Sequence, residues 1–366
     1  MQVEKLEDPA AAKRFYETRY EQGYMDVWGN DRRRRLRDVL ADVELAAGSR
    51  VLDFGCGSGA LTATLAELWP HVEVHGADIS ATAVANARER VPAASFHVLD
   101  ANFVTEHEGE FDFVFSHHVL EHVYDLPAAL ADLVRLSKPT GRMLHALPCG
   151  NAGSLAQWLC LQRPDGIQNE QGNRFFFEES SHLRRLQSNE LRDALLAQGC
   201  ELSDASYGYH WLGVLRLMTE MTPPAWFAMV DPRPCHLRSL PMMLPFLLLL
   251  GFVAALRAPT QVLLRARRVW SQVFRFRTRR LSQASTMMVF ALAVPSLLLL
   301  PISAPVEIAL RLLDSREWRR RRKDPAASEM FLMFQRRAVP LPRAGSPVPE
   351  LAARVEAATA LPADAH

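Results

Sequence analysis

Apolar residues alternate with polar ones in short clusters over the first two thirds of the chain. Buried-strand patterns fall at 50–54, 72–77, 95–99, 111–115 and 142–147, and a sixth strand is expected near 200–207. Between them, 60–69, 81–90, 121–136 and 188–198 carry the three-to-four residue spacing of amphipathic helices. Residues 10–45 read as helices bearing Phe15, Tyr16, Tyr20, Tyr24, Trp28 and the basic run Arg32–Arg35. Strands that alternate with helices predict an α/β fold, a doubly wound and mostly parallel sheet covered on both faces.

Beyond residue 236 the pattern changes. Ser239–Leu256 carries no charge in eighteen residues and Leu281–Val306 none in twenty-six. Glu329–Arg337 then reads as one more strand. The expected organisation is N-terminal helices over 1–45, an α/β domain over 46–235 and a hydrophobic helical insertion over 236–324. A last strand of the same sheet follows over 325–340, and a loose Pro- and Ala-rich tail over 341–366.

Charge sharpens this picture. The chain of 366 residues has a net charge of +1, yet His236–Lys323 holds sixteen Lys and Arg against three acids. A basic, apolar block in an otherwise acidic chain points to a membrane surface or to nucleic acid. Five cysteines without a CxxC pair or metal-ligand spacing suggest a reducing compartment, and no metal is expected. The first nine residues are polar and show no leader pattern.

Four stretches carry the chemistry. Val51–Ala60 combines an apolar strand, Asp53 and glycines at 55, 57 and 59, which describes a strand entering a tight loop where backbone N–H groups approach a ligand. Gly76–Ser80 ends a second strand at Asp78, followed by Ile79, where a carboxylate can accept from two ribose hydroxyls. Val98–Phe103 carries Asp100 and Ala101 after a third strand, and Phe111–Val123 contains Ser116, His117, His118, Glu121 and His122.

In order and spacing these stretches resemble class I S-adenosylmethionine-dependent methyltransferases of the small-molecule and lipid type, whose loop after the fourth strand often reads Glu-His plus an aliphatic residue. Leu136–Arg142 resembles their turn before the fifth strand, with Thr140 in place of a glycine. The resemblance implies a seven-stranded Rossmann-like fold and S-adenosylmethionine as cofactor. It places the cofactor on Asp53, Gly55, Cys56, Gly57, Gly59, Asp78, Ile79, Asp100, Ala101 and Ser116. Gly55-x-Gly57-x-x-Ala60 also satisfies a dinucleotide-binding fingerprint, but the acids and the Glu-His loop are foreign to a dehydrogenase.

Methyl transfer is a displacement at a sulfonium carbon, so the protein mainly positions the reactants and excludes water, with a base where the acceptor carries a proton. His117, His118 and His122 are the candidate bases, the alternative being that Glu121 and His122 only cap the following helix. The connection 148–179 is expected to cover the acceptor. Tyr16, Trp158, Arg174 and His182 are candidate acceptor-binding residues, with Arg163 and Phe175–Phe177 beside them.

The apolar block suggests association with anionic lipid. Leu281–Val306 is long enough to span a bilayer but is interrupted by Pro295, Pro301 and Pro305, and Ser239–Leu256 is marginal with Pro241 and Pro245. Two full spans would place the arginines between them outside, against the positive-inside tendency, so two shallow proline-bent hairpins and an amphipathic helix over 262–274 are expected on the cytosolic face. A lipid-linked or amphiphilic acceptor follows, with a polyprenyl-linked glycan, a quinone precursor and a lipid headgroup as candidates. A soluble enzyme whose apolar block makes a homodimer and a non-catalytic cofactor-binding scaffold stand as alternatives. Nucleic acid is disfavoured because Ser116–Val119 stands where base-modifying enzymes carry an Asn/Asp-Pro-Pro-aromatic motif.

Overall fold

The computed structural model describes residues 9–21, 30–162, 182–220, 235–274 and 283–337, with the side chains of 9, 30, 31 and 268–290 outside that description. Arg163, Arg174, Phe175–Phe177 and the tail 341–366 lie outside the described residues.

Two helices, α1 (Pro9–Glu21) and α2 (Asn30–Leu40), precede alternating strands and helices: β1 (Arg50–Phe54), α3 (Thr62–Leu68), β2 (Glu73–Asp78), α4 (Ala81–Arg90), β3 (Ser95–Val98), α5 (Ala101–Glu106), β4 (Phe111–His117), α6 (Leu126–Leu136) and β5 (Ser137–Pro148). There follow α7 (Leu155–Leu161), α8 (Ser188–Leu196), β6 (Cys200–Gly208), α9 (Trp211–Met218), α10 (Leu240–Phe274), α11 (Gln283–Leu298), α12 (Leu300–Arg321) and β7 (Glu329–Arg336). The seven strands form one sheet in the order β3-β2-β1-β4-β5-β7-β6. β7 enters antiparallel between β5 and β6, with Leu144 opposite Met333 and Leu202 opposite Phe334.

Both faces of the central strands are apolar, as a covered parallel sheet demands. Leu52, Phe54, Met143, Met330, Leu332 and Phe334 face α6 and α8, while Val51, Phe113, Phe115, Leu144, Phe331 and Met333 face α2 and α3. The alternation along β7 is the two-residue period of a strand read on two buried sides.

Three expectations need correction. The helix expected over 121–136 begins at Leu126, because the Asp125 side chain accepts from the Ala128 N–H and caps it there. Glu121 is therefore not a cap. The turn expected before the fifth strand lies inside β5, whose pairing with β4 is irregular between Phe111 and Phe113. In the insertion, α10 runs as one helix past Pro245 and Pro259 rather than folding into a hairpin. The second apolar segment does bend, by 87° between Ala291–Leu298 and Leu300–Arg321.

Buried ion pairs dock this helical block on the domain. Asp314 of α12 accepts from Arg35 at 2.6 Å and from Arg216 at 3.0 Å. Arg257, fully buried on α10, meets Glu307 at 2.5 Å and Glu220 at 3.1 Å. Glu317 accepts from the N–H groups of Trp211, Leu212 and Gly213, closing the start of α9. The inner face of the insertion thus combines these buried ion pairs with an apolar contact of Met243 and Leu250 against α7 and α9.

Candidate active site

A cavity of about 480 Å³ opens beyond the carboxyl ends of β1, β2 and β4, the crevice where open α/β sheets bind ligands. Its floor is the loop after β1. Gly55 and Gly57 have φ of +77° and +51°, the left-handed region that glycine enters without strain. A Cβ on Gly55 would fall 2.3 Å from Val119, and one on Gly57 2.8 Å from the Tyr20 hydroxyl. The loop is therefore closed to larger residues on both sides.

Two buried carboxylates flank this loop. Asp53 Oδ2 accepts from the Thr62 hydroxyl at 2.6 Å, and burial pushes its pKa up to about 7, the Thr62 bond opposing and Asp78 adding to the rise. Asp78 accepts from the Gly57 N–H at 2.9 Å and the Ser80 N–H at 3.0 Å, yet burial still raises it to about 6. Asp100 is exposed at the rim and caps α5 through the Phe103 N–H at 2.9 Å. Cys56, Ile79 and Ala101 complete this wall.

The opposite wall is imidazole, with buried carboxylates behind it. β4 ends at His117, and His118 takes φ +54°, an uncommon backbone state for a residue with a Cβ. This turn sets His118 between two acids, with Nδ1 3.0 Å from Glu121 and Nε2 3.2 Å from Glu329 on β7. Burial opposes a charge on His118, but the hydrogen bonds to Glu121 and Glu329 outweigh it and raise its pKa. His117 Nε2 lies 3.7 Å from Glu329, and burial, with His118 and Arg32 adding, holds its pKa well below the usual range. Glu121 is held at about 2, since His118 overcomes the burial that would raise it. His122 Nε2 is 3.9 Å from Glu121, and its ring stands edge-on to His182 at 4.5 Å and to Tyr16 at 5.8 Å.

α1 covers the cavity. Glu17 accepts from the Ala81 and Thr82 N–H groups at 2.7 and 3.1 Å and from the Ser80 hydroxyl at 2.9 Å. This ties α1 to the start of α4 and brings Tyr16 and Tyr20 over the opening.

Of the residues singled out in the sequence, Asp53, Gly55, Cys56, Gly57, Asp78, Ile79, Asp100, Ala101, Tyr16, His117, His118 and His122 line the cavity. Four stand elsewhere. Gly59 faces Ala87 and Phe96, where it lets helix and strand pack closely. The Ser116 hydroxyl is buried against His145 Nδ1 at 2.8 Å. Trp158 packs against Trp211 and Phe246 at the root of the insertion. His182 stands behind His122 and not on the wall. The sequence reading missed Tyr20, Glu17, Thr62 and Glu329. The hydroxyl spacing of Thr62 after the glycine loop offered some signal, whereas Glu329 lies 211 residues from its partner His118 and offered none.

Residues 28–204 match the family model of a methyltransferase domain. Trans-aconitate 2-methyltransferase of Azoarcus sp. (strain BH72) is 32% identical over 121 residues, 33% of this chain and 47% of that protein. Ubiquinone biosynthesis O-methyltransferase of Aromatoleum aromaticum is 38% identical over 105 residues, 27% of this chain and 44% of that one. Phosphoethanolamine N-methyltransferase 1 of Triticum aestivum is 32% identical over 143 residues, 38% and 28% of the two chains. This chain thus spans less than half the length of these curated relatives. Among solved structures, Haemonchus contortus phosphoethanolamine N-methyltransferase 2 with S-adenosyl-L-methionine aligns over 91% of this chain and 58% of its own, at 15% identity and a TM-score of 0.44.

The cavity suits a cationic nucleoside. Asp53 and Asp78 are buried acids whose ionised forms lack a counter-charge, which a sulfonium and an ammonium supply, and the glycine loop is open only as far as a backbone-hugging ligand needs. Residues 28–204 are thus a methyltransferase domain, and this cavity is the place for its S-adenosylmethionine cofactor.

Proposed function

We propose that this protein methylates an oxygen of a lipid-linked or amphiphilic acceptor at the cytosolic face of a membrane. The observation that carries the reading is the distribution of exposed apolar side chains. Fifteen of the nineteen large ones among the described residues lie between Leu237 and Leu313. Leu248, Phe252 and Leu298 are 75%, 62% and 82% exposed. Only 17% of the apolar window in Leu240–Arg267 is buried, so this helix is not a core element. A surface of this kind in water marks an interaction site.

The polar pairing of the inner face supports a monotopic attachment. Arg257 and Glu307 are turned toward the domain, and the outer face is left for lipid. The 87° bend after α11 supports a re-entrant segment over a second span. Arg238 and Arg265–Arg267 then remain on the cytosolic side, next to anionic headgroups.

When bound, the cofactor supplies an electrophilic methyl carbon with its own leaving group. Asp53 and Asp78 hold it by charge and hydrogen bonds, and Tyr16 and Tyr20 shield it from water. The His117–His122 loop borders the far end of the cavity, backed by Glu329 and His182, and is the group that orients and deprotonates an acceptor hydroxyl.

Co-sedimentation of the protein with anionic liposomes, in the presence of labelled S-adenosylmethionine and a total lipid extract, tests this. Pelleting with label in an organic-soluble product supports it. Protein that stays in solution as a dimer and labels only water-soluble acceptors overturns it.

A further inference from the structure

We infer that His117, His118 and Glu329 bind a divalent transition-metal ion at the acceptor end of the cavity. Nε2 of each histidine and Oε1 of Glu329 lie within 4.8 Å of one another, at 3.2 and 3.7 Å for the two nitrogen–oxygen pairs. Ligand atoms about 2.1 Å from one ion sit roughly 3 to 3.5 Å apart, a spacing that the His118–Glu329 pair already has and the His117–Glu329 pair approaches. Two imidazoles and one carboxylate are a donor set for zinc, iron(II), cobalt or manganese, not for calcium.

Three further features favour this triad. Glu121 faces His118 Nδ1 at 3.0 Å, the position from which a carboxylate orients a metal-binding histidine and fixes its tautomer. His118 holds φ +54°, which aims its ring at Glu329. His117 and His118 both line the cavity, so coordination positions not taken by protein face the space where an acceptor enters. The neighbouring group Glu121, His122 and His182 also has converging ligand atoms, but of these only His122 lines the cavity. The ion's role would be to bind the acceptor oxygen and make its proton easier to lose. That role rests on the proposed function; the site itself does not.

The test uses the full chain without a histidine tag, stripped with a chelator and titrated with Co²⁺. The readouts are visible d–d absorption and metal per chain by elemental analysis. Wild type is expected to take up one ion per chain with a four- or five-coordinate spectrum and to melt at a higher temperature with Co²⁺ than without. Glu329→Gln should weaken uptake at least tenfold, His118→Gln should abolish the bands, and His182→Ala should leave them unchanged. Circular dichroism checks each fold, and His117→Gln carries the test if Glu329→Gln does not fold. The site is overturned if wild type takes up no Co²⁺, if the variants bind equally, or if only His182→Ala loses the ion. Uptake as expected, with no lipid labelled in any metal, would leave the site standing and refute the acceptor reading.

Discussion

Replacing Asp53 by Asn should stabilise the cofactor-free protein above neutral pH while destroying cofactor binding. The folded carboxyl has its pKa raised from 3.8 to about 7, chiefly by burial. Between these values the folded state keeps a proton that the unfolded chain has lost. Stability from this site therefore falls as pH climbs from about 4 to about 7 and stays low above it. A shift of this size is worth on the order of 4 kcal/mol once both states are ionised. Asn keeps an oxygen for the Thr62 hydroxyl, now 2.6 Å from Asp53 Oδ2, but carries no charge. Urea unfolding at pH 4.5 and pH 8 should show the variant more stable by a few kcal/mol at pH 8 and little changed at pH 4.5. Calorimetry adds a second readout: near pH 6.5 the wild type should release protons on binding the cationic cofactor, seen as a dependence of the heat on buffer ionisation. Equal pH dependence of wild type and variant would refute the argument that Asp53 is an unpaired buried acid. Unaltered cofactor affinity, in this variant or in Asp53→Ala, would refute its place in the site.

Gly55→Ala should lose cofactor affinity and about 1–3 kcal/mol of stability, read by thermal melting, because it combines φ +77° with a Cβ 2.3 Å from Val119. Asp314→Ala should destabilise by about 3–5 kcal/mol in urea, since it removes the carboxylate that pairs with Arg35, which is 2% exposed, while Arg216 keeps Glu220 at 2.6 Å; a neutral result would mean the insertion is not docked through Asp314. Leu248→Glu with Leu298→Glu should abolish liposome flotation without changing the melting temperature, because both side chains are exposed already. Continued flotation would exclude the outer face as the lipid contact.

How far the sequence alone reached follows from the range over which each feature is encoded. The β1 loop, Asp78, Asp100 and the β4 loop are each contiguous, and their backbone needs are written in neighbouring residues: glycine where φ is positive, an apolar run where both faces of the sheet are covered. Strand boundaries at 50–54 and 200–207 were legible for the same reason. The single helix through Pro245 and Pro259 was not, because its prolines argue for breaks, and tertiary packing against α7, α9, α11 and α12, with Arg257 paired to Glu307, carries the helix past them. Ser116 and Trp158 were misplaced because a period of two or four residues gives a side chain's face but not its neighbour. Glu329 shows the limit most sharply. In the sequence it is one acid at the start of an apolar strand. Threading that strand between β5 and β6 buries it opposite Pro148 and Gly208 and within 3.2 Å of His118. A pair separated by 211 positions becomes an interaction only when the sheet closes, so local pattern determines the cofactor half of the cavity and tertiary structure decides the acceptor half.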